Sequence, residues 1–447
     1  MPKKNFEQLC TGFSKLERHE RLTRLHSMGL LSEADIQLLT QSTDKHLTAT
    51  VDKFIENVIG CFPMPLGVAT NFKIDGKDYV IPMVVEESSV VAAASRAARW
   101  VREKGRLSTQ RHGNTIIGQI HITGVNNNKL FSRIITAHKK KLIESVNTNV
   151  LPNLLKRGGG VKDIIIRDIH PNSLSTERVV HVLLDSCDAM GANAVTQACE
   201  YLKKPIKQLT GTTPKIAVVS NLTDTQLTCA TIVLNDIDPA LAESIEEAST
   251  FADNDPYRAA THNKGVLNGI DAVLIATGND WRAVDAGIHA YAARHGHYQP
   301  IARWRRKKKT LVGTLEAPII VGTVGGVTSL HPFARLCLNM LGNPNAKSLS
   351  RLLGAVGLVQ NLAALHALTT GGITQGHMKL HINNLLLWSG AKQHEETALR
   401  RALETLLATK NKISLTDAKT QLHAIRNNKK SQPQEAQPEL QHEIVDT

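Results

Sequence analysis

The chain lacks several patterns by which common protein classes are identified. Its 447 residues contain only 4% aromatic residues, and its six cysteines are scattered without a CxxC pair or a zinc-type spacing. A disulfide framework and a structural zinc site are therefore not expected, and reduced cytosolic thiols are the default. Neither of the common glycine-rich nucleotide fingerprints, GxGxxG and GxxxxGKS/T, occurs in the sequence.

Two further absences concern membranes. We expect that no apolar run free of charges reaches the roughly 20 residues that a membrane helix needs. The N-terminus leads into a charged amphipathic stretch and not into a secretory h-region. We therefore expect a soluble, cytoplasmic protein with an aliphatic, alanine-rich core and no membrane partner.

Basic residues, by contrast, are in excess. The formal net charge is +13, and part of it is concentrated in the run 303–309. Such a run around Trp304 is compatible with nucleic-acid binding or with attraction of a polyanionic ligand. A solvated hairpin tip between 298–301 and 311–315 is the favoured interpretation, because no nucleic-acid motif accompanies the run.

The periodicity of apolar residues predicts mixed helices and strands. We expect two short amphipathic helices in 13–41, a helix over 45–60, a β-hairpin around Asp75-Gly76, and a long helix over 90–104. The region 113–221 has the order βαββαβ, which is typical of a ferredoxin-like sandwich and not of a Rossmann domain. Further on, 346–368 and 393–428 read as helical, and 429–447 as a disordered tail.

Two turns in the sandwich are candidates for binding an anion. The second predicted helix covers 189–202 and begins within Asp188-Ala189-Met190-Gly191-Ala192-Asn193, where Gly191 lets backbone approach a ligand and the amides of the first turn are free. An ordinary aspartate cap with a packing glycine is equally compatible with this hexapeptide. The triple glycine 158–160 is the second flexible turn.

Lys264 and Asp280 are candidate catalytic residues. An apolar run begins at Val266, directly after Lys264, and ends at a Gly-Asn-Asp turn that contains Asp280. A buried lysine needs an anionic partner, and a Lys–Asp pair in a cleft supports proton and oxyanion chemistry. A structural ion pair is the alternative. His377 and His381 have a helical zinc spacing, but no acidic third ligand is near them, so a catalytic or a surface histidine fits as well.

Taken in order, these motifs resemble those of 3-hydroxy-3-methylglutaryl-CoA reductases, in particular the soluble class II enzymes of bacteria and archaea. The resemblance covers about residues 10–425. The motifs that carry it are 56–60 (Glu-Asn-Val-Ile-Gly), 86–87 (Glu-Glu), 188–193, 261–269, 277–280 and 376–378.

The resemblance implies a role for each matching residue. Lys264 stabilises the oxyanion of the reduced thioester, Asp280 tunes that lysine, Glu87 is the general acid, and His377 protonates the departing CoA thiolate. Glu87 then has to hold a proton at neutral pH, which requires burial. The implied substrate-binding residues are Glu56, Ser89, Arg258 and Asn268. The implied cofactor-binding residues are Asp188, Met190, Gly191, Asn193, Asn221 and Arg157.

The resemblance also implies the reaction, which is the four-electron reduction of the thioester to mevalonate and CoA with two NAD(P)H, or its reverse, without a metal. Ser88 stands where similar bacterial enzymes usually have proline; the following helix can still start there, since serine is a good cap or first-turn residue. Some relatives place an acidic residue shortly before the triple glycine, which would favour NAD, whereas this chain has Lys156 and Arg157 there, which favours NADPH over NADH.

The architecture expected from all of this is α+β. A large helix-rich CoA-substrate domain (1–112 and 222–370) would contain the inserted ferredoxin-like dinucleotide-binding domain (113–221), followed by a helical flap (371–428). The partners would be HMG-CoA, mevalonate and CoA, and a second copy in a homodimer or a hexamer built as a trimer of dimers. The rival functions are another acyl-CoA or aldehyde reductase, which would not need Arg258 for a substrate carboxylate, and a basic RNA-binding protein.

Overall fold

The computed structural model describes residues 13–27, 29–41, 51, 53–169, 176–370, 382–410 and 413–430. Contacts divide the chain into two compact units, Met1–His366 and Ala367–Thr447. The strands are β1 Leu66–Ile74, β2 Lys77–Val84, β3 Gly105–His112, β4 Ile116–Thr123, β5 Gly160–Arg167, β6 Arg178–Asp185, β7 Thr213–Ser220, β8 Leu227–Leu234, β9 Ala302–Lys307 and β10 Thr310–Ala317.

Helices flank or follow each sheet. In the first unit they are α1 Arg18–Ser27, α2 Glu33–Gln41, α3 Val90–Lys104, α4 Asn128–Asn149, α5 Pro152–Lys156, α6 Ala192–Thr210, α7 Pro239–Asn254, α8 Pro256–Ala276, α9 Trp281–Ala292, α10 Gly326–Leu330, α11 Pro332–Met340 and α12 Ala346–Thr370, which runs past the boundary of the unit. The second unit contains α13 over 382–389, α14 Gln393–Lys410 and α15 Leu415–Lys430, which share a small leucine-rich core.

The predicted hairpin is formed by β1 and β2. Asp75 and Gly76 occupy its turn with φ of 50° and 84°, the left-handed values that a tight hairpin turn requires. The predicted helix 90–104 is α3, and it packs on β1. Ser88 is neither the cap nor a first-turn residue of α3, because it lies one position before the N-cap, which is Ser89. The Oγ of Ser89 donates to the carbonyl of Ser88 and caps no helix amide.

The region 113–221 is confirmed as a ferredoxin-like sandwich. Its antiparallel sheet has the order β5-β6-β4-β7, which is the order that a split βαββαβ connection produces. Helix α6 begins at Ala192, later than the expected Ala189, because Gly191 precedes it in a left-handed conformation with φ 92°.

A second antiparallel sheet, β3-β8-β10-β9, belongs to the larger core together with α3, α8 and α12. Helix α12 corrects our expectation about apolar runs, since it is long and apolar enough to cross a membrane. However, 72% of its most apolar window is buried inside the protein, as in the core helix of a soluble domain.

The helix expected over 45–60 does not extend to its predicted end: Val51 is helical, but 53–57 form turns and 58–60 are not helical. Asn57 has φ 58°, which a continuing helix does not allow. Arginines of α1 hold the following segment instead: Arg21 donates to the carbonyl of Val58 at 3.0 Å and Arg18 to that of Ile59 at 3.2 Å.

The basic run 303–309 lies mainly in β9 and not in a hairpin tip, which is limited to Lys308 and Lys309. Arg303 and Arg305 both pair with Asp253 of α7, and Arg306 pairs with acids of the same helix. Trp304 is fully buried and donates to Asn361 at 2.8 Å. The three arginines of the run are therefore paired within the fold, which weakens the case for RNA binding.

Candidate active site

A cleft of about 1080 Å³ lies where the ferredoxin-like sandwich meets helices of the larger core. Met64 and four segments line it: the end of β2 with Glu86 and Glu87, the residues that lead into α6, one face of α8 continuing to the start of α9, and the segment 322–328, which runs into α10. Seven of the predicted site residues line this cleft: Glu87, Met190, Gly191, Asn193, Lys264, Asn268 and Asp280.

The helical repeat of α8 brings its polar residues to the cleft. Lys264, Asn268, Asp271 and Ile275 are spaced by three or four residues, so they share one face. The other faces are buried, and Gly269 lies so close to α12 that a Cβ there would be 2.9 Å from the Cβ of Gln360. This geometry corrects the expectation of a buried lysine, because the side chain of Lys264 is 58% exposed.

The ion pair in the cleft joins Lys264 to Glu87. Lys264 Nζ donates to Glu87 Oε2 at 2.9 Å, and the side chain of Glu87 is 38% exposed. The predicted need for an anionic partner is met, but by Glu87 and not by Asp280. Glu87 also lacks, in this conformation, the burial that we expected for a carboxylic acid that keeps its proton.

Asp280 is held by the start of α9. Its Oδ1 accepts from the amide of Ala283 at 3.2 Å and from Arg282 Nε at 3.1 Å, so it acts as the N-cap of this helix. The neighbouring Asn279 accepts from the amide of Gly322 at 2.8 Å. These bonds fix the carboxylate of Asp280 on the wall of the cleft that continues from Lys264 and Asn268.

The turn before α6 is built for close backbone contact. A Cβ on Gly191 would lie 2.5 Å from Ser186 Cβ, and the positive φ also favours glycine. No side chain caps the first amides of α6, so they are free for an anion. A nicotinamide dinucleotide, which carries a pyrophosphate, fits this turn.

Asp188 has a supporting position and does not line the cleft. Its Oδ1 accepts from the amide of Ala346, and its carbonyl accepts from the amide of Thr323 at 2.8 Å. Gly322 approaches the same turn so closely that a Cβ would lie 2.7 Å from the amide nitrogen of Met190. This contact explains why position 322 is a glycine.

Other predicted residues lie outside the lining of the cleft. Glu56 is exposed, and Asn221 lines a small neighbouring pocket together with Met190. Burial lowers the pKa of Arg258, and within the described ranges no carboxylate forms an ion pair with its guanidinium. Arg157 lines a second pocket of about 250 Å³ that also contacts Gly191. His377 lies outside the described residues.

The sequence-based predictions missed Asp271 of α8 and Asp285 of α9. The two carboxyl groups lie within hydrogen-bonding reach of each other, and burial followed by the charge of Asp285 raises the pKa of Asp271 to about 8. The spacing of seven residues from Lys264 was the available signal for Asp271. The partner on the next helix depends on the packing of α8 against α9 and has no local signature.

Comparisons with known proteins agree with this geometry. The sequence model of the family "Hydroxymethylglutaryl-coenzyme A reductase" matches residues 17–382. A 3-hydroxy-3-methylglutaryl-coenzyme A reductase of Archaeoglobus fulgidus is 43% identical over 421 residues, which are 93% of this chain and 94% of that protein. A probable reductase of Borreliella burgdorferi is 36% identical over 74% of this chain and 77% of its own.

Solved structures give the same result. A class II reductase from Streptococcus pneumoniae bound to NADPH in open conformations is 38% identical, with a TM-score of 0.71 over 80% of this chain and 99% of that chain. Another structure of the reductase from this organism has a TM-score of 0.72 and covers 93% of this chain and 99% of its own. The resemblance, the α+β fold and the reductase activity inferred from sequence are thereby confirmed. The chain belongs to the hydroxymethylglutaryl-coenzyme A reductase family.

Proposed function

We propose that the cleft is the site at which this NAD(P)H-dependent reductase converts the thioester of 3-hydroxy-3-methylglutaryl-CoA to mevalonate and CoA. The observation that carries the proposal is the Lys264–Glu87 pair of 2.9 Å in a cleft that also contains the glycine turn before α6. The cation of Lys264, the proposed proton donor Glu87 and the anion-binding start of α6 therefore all line the same cleft. Their sequence positions are far apart, so the fold alone assembles them.

The residues divide the work as the reaction requires. Two hydrides from the nicotinamide cofactor reduce the thioester carbon in succession. Lys264 faces the oxygen that becomes negative after the first hydride, where a preorganised ammonium contributes several kcal/mol. Collapse of the hemithioacetal breaks the C–S bond, and His377 gives a proton to the thiolate. Glu87 gives a proton to the aldehyde oxygen as the second hydride arrives.

Asp280 has a positioning role in this scheme. Its carboxylate is already oriented by the amide of Ala283 and by Arg282. An anion fixed on the same wall as Lys264 favours the charged lysine without needing to touch the substrate. In the described conformation Lys264 binds Glu87. When a thioester binds, its carbonyl oxygen would replace Glu87 as the partner of Lys264, and Glu87 would then be released to act as the acid.

The second carboxylate of the substrate, at the far end of its acyl group, is the proposed partner of Arg258. The guanidinium is partly desolvated and has no ion-pair partner among the described residues. A desolvated arginine gains most from a carboxylate that binds in a bidentate manner. Ser89, Asn268 and Glu56 are proposed to contact the rest of the acyl group. A reductase for uncharged acyl chains would not need a partly desolvated arginine without an ion-pair partner at position 258.

The cofactor is proposed to be NADPH in preference to NADH. Arg157 and Gly191 line the same pocket of about 250 Å³, so a dinucleotide on the glycine turn has Arg157 beside it. An arginine suits the 2′-phosphate that distinguishes NADPH. Asp188 would hold the turn in place through Ala346, while Met190, Asn193 and Asn221 would contact the cofactor.

The assembly is proposed to be a homodimer, or a hexamer built as a trimer of dimers, in the cytoplasm. Six large apolar side chains are exposed in the segment that continues from the cleft: Val324, Val327, Leu330, Phe333, Leu336 and Met340. Exposed apolar side chains concentrated in one segment are typical of an interface. The domain limits are proposed as expected from the sequence, with 371–428 as the flap that carries His377.

A spectrophotometric assay tests the function directly. The purified chain should oxidise two equivalents of NADPH for each equivalent of free CoA thiol released from 3-hydroxy-3-methylglutaryl-CoA. Replacing the acyl group by one without the terminal carboxylate should reduce kcat/KM strongly, and Arg258→Ala should remove this difference. Equal rates with charged and uncharged thioesters would favour a different acyl-CoA reductase.

A further inference from the structure

Two carboxyl groups meet between the helices that carry the proposed catalytic cation and its anion. Asp271 belongs to α8, as does Lys264, and Asp285 belongs to α9, whose N-cap is Asp280. The two side chains lie within hydrogen-bonding reach of each other. Asp271 also lines the cleft, whereas Asp285 does not, so the pair extends from the wall of the cleft into the contact between α8 and α9.

The polar atoms of this pair lack a donor. Oδ1 of Asp271 and Oδ1 of Asp285 are shielded from solvent, and within the described part of the chain neither accepts a hydrogen bond. Two adjacent ionised carboxylates would repel each other and leave both oxygens unsatisfied. A single proton between them supplies the missing donor and removes one of the two charges.

The surroundings decide which partner carries the proton. Burial raises the pKa of Asp271, and the charge of Asp285, which is the charged group that acts on it within the described part of the chain, raises it further. Burial raises the pKa of Asp285 as well, but the bond to Asp271 and the charge of His289 on its own helix oppose this effect. The hydroxyl of Tyr298 lies 2.7 Å from His289 and also senses the charge of Asp285. Asp271 is therefore the acid, and Asp285 is the carboxylate that accepts from it.

We propose that Asp271 and Asp285 share one proton at neutral pH and act as a positioning pair that holds α8 against α9. The hydrogen bond keeps Lys264 and Asn268 on one helix in register with Asp280 on the other. Loss of the proton places two negative charges between the helices and disturbs this register. The inference rests on the proposed role of Lys264, but the proton itself is detectable without turnover.

Infrared spectroscopy of the full chain tests the shared proton. At about pH 6 and above, ordinary carboxyl groups are ionised, so a remaining band from a protonated carboxyl reports a raised pKa. We expect this band in the unmodified protein and a loss of its intensity by one carboxyl group in Asp271→Asn, whether or not Glu87 also contributes. Absence of the band in the unmodified protein, or equal intensity in the variant, would overturn the proposal. This result does not depend on which substrate the cleft binds.

Stability gives a second readout with a defined sign. The pKa of Asp271 is raised in the folded state, so the stabilisation by its proton is complete below the unfolded value of 3.8 and is lost as pH rises through about 8. Between these values the folding constant of the unmodified protein, divided by that of Asp271→Asn, should fall by as much as tenfold per pH unit. A ratio that does not change with pH contradicts the inference.

Kinetics test the positioning role. An amide at 271 still donates to Asp285 but does not titrate, so Asp271→Asn should keep turnover at neutral pH and lose less of it at alkaline pH than the unmodified enzyme does. Asp271→Ala should lower kcat at every pH, because no donor remains. Asp253→Asn is the control: this acid pairs with Arg303 and Arg305 outside the cleft, so its kcat relative to the unmodified enzyme should not vary with pH. The same constant ratio for Asp271→Asn would mean that the pair is only structural.

Discussion

Replacement of Lys264 by methionine separates catalysis from folding. The substitution keeps a side chain of similar length but removes the ammonium, which is 2.9 Å from Glu87 in the cleft. If that ammonium stabilises the oxyanion, its loss should reduce kcat for the thioester by about 10²- to 10³-fold, or about 2.7–4 kcal/mol, as for the loss of one oxyanion donor. Binding of the cofactor should remain within a few-fold, since Lys264 is not part of the turn at Gly191.

The effect on stability should be small for a reason visible in the structure. The Lys264 and Glu87 side chains are 58% and 38% exposed, so solvent screens their attraction. Pairs of this kind contribute at most about 1 kcal/mol. Lys139→Met is a matched control, because Lys139 pairs with Asp163 at 2.7 Å with 36% and 40% exposure, and neither residue lines the cleft.

Three measurements decide the matter: thermal unfolding, cofactor binding, and steady-state rates with 3-hydroxy-3-methylglutaryl-CoA. We expect Lys264→Met and Lys139→Met to unfold at similar temperatures and to differ by two or more orders of magnitude in kcat. Turnover of Lys264→Met within tenfold of the unmodified enzyme would exclude the ammonium as the main stabiliser of the oxyanion. Equal losses in both variants would point to a general loss of charge and not to the cleft.

Three further predictions concern the thiolate, the cofactor and the glycine turn. His377→Gln should impair reduction of the CoA thioester more than that of free mevaldehyde, and equal losses would assign His377 another role. Arg157→Ala should weaken the preference for NADPH by about tenfold to a hundredfold, the worth of one charge-assisted contact of about 1.5–3 kcal/mol, and a preference for NADH in the unmodified enzyme would refute the assignment. Gly191→Ala should raise KM for the cofactor much more than Gly211→Ala, because both glycines have positive φ but only Gly191 has neighbours within 4 Å of the added Cβ.

Local sequence signals were sufficient for elements whose geometry is set by near neighbours. Asp75-Gly76 predicts a hairpin because both residues tolerate positive φ, and the structure has it. The order of strands and helices in 113–221 predicted the ferredoxin-like sheet, because that connectivity allows few compact arrangements. Gly191 was predicted to let backbone approach a ligand. The structure shows that it packs closely against Ser186, as the alternative of a packing glycine expects, and its contact with a ligand stays a prediction.

Two strands of the second sheet were missed for different reasons. In β8 the residues alternate between buried and partly buried positions, which is a period-two signal that was available. In β3, by contrast, the sequence is polar, with only Leu107 and Thr109 buried. It becomes a strand because β8 offers it an edge to pair with. Tertiary pairing of this kind leaves no trace in the local sequence.

The partner of Lys264 shows where sequence reasoning ends within the site itself. Asp280 and Glu87 were both identified as acids of the cleft, and the cleft contains both. Which of them binds the lysine depends on competing donors: Asp280 is occupied by the start of α9 and by Arg282, whereas the carboxylate of Glu87 follows β2 and is open toward α8. The same reasoning explains Asp271, whose proton depends on a second acid that only the packing of α9 supplies. Residue types and spacing thus predict which side chains line the cleft. Which acid pairs with the lysine, and which carboxyl carries a proton, depends instead on helix ends and on side chains from other helices that pack beside them.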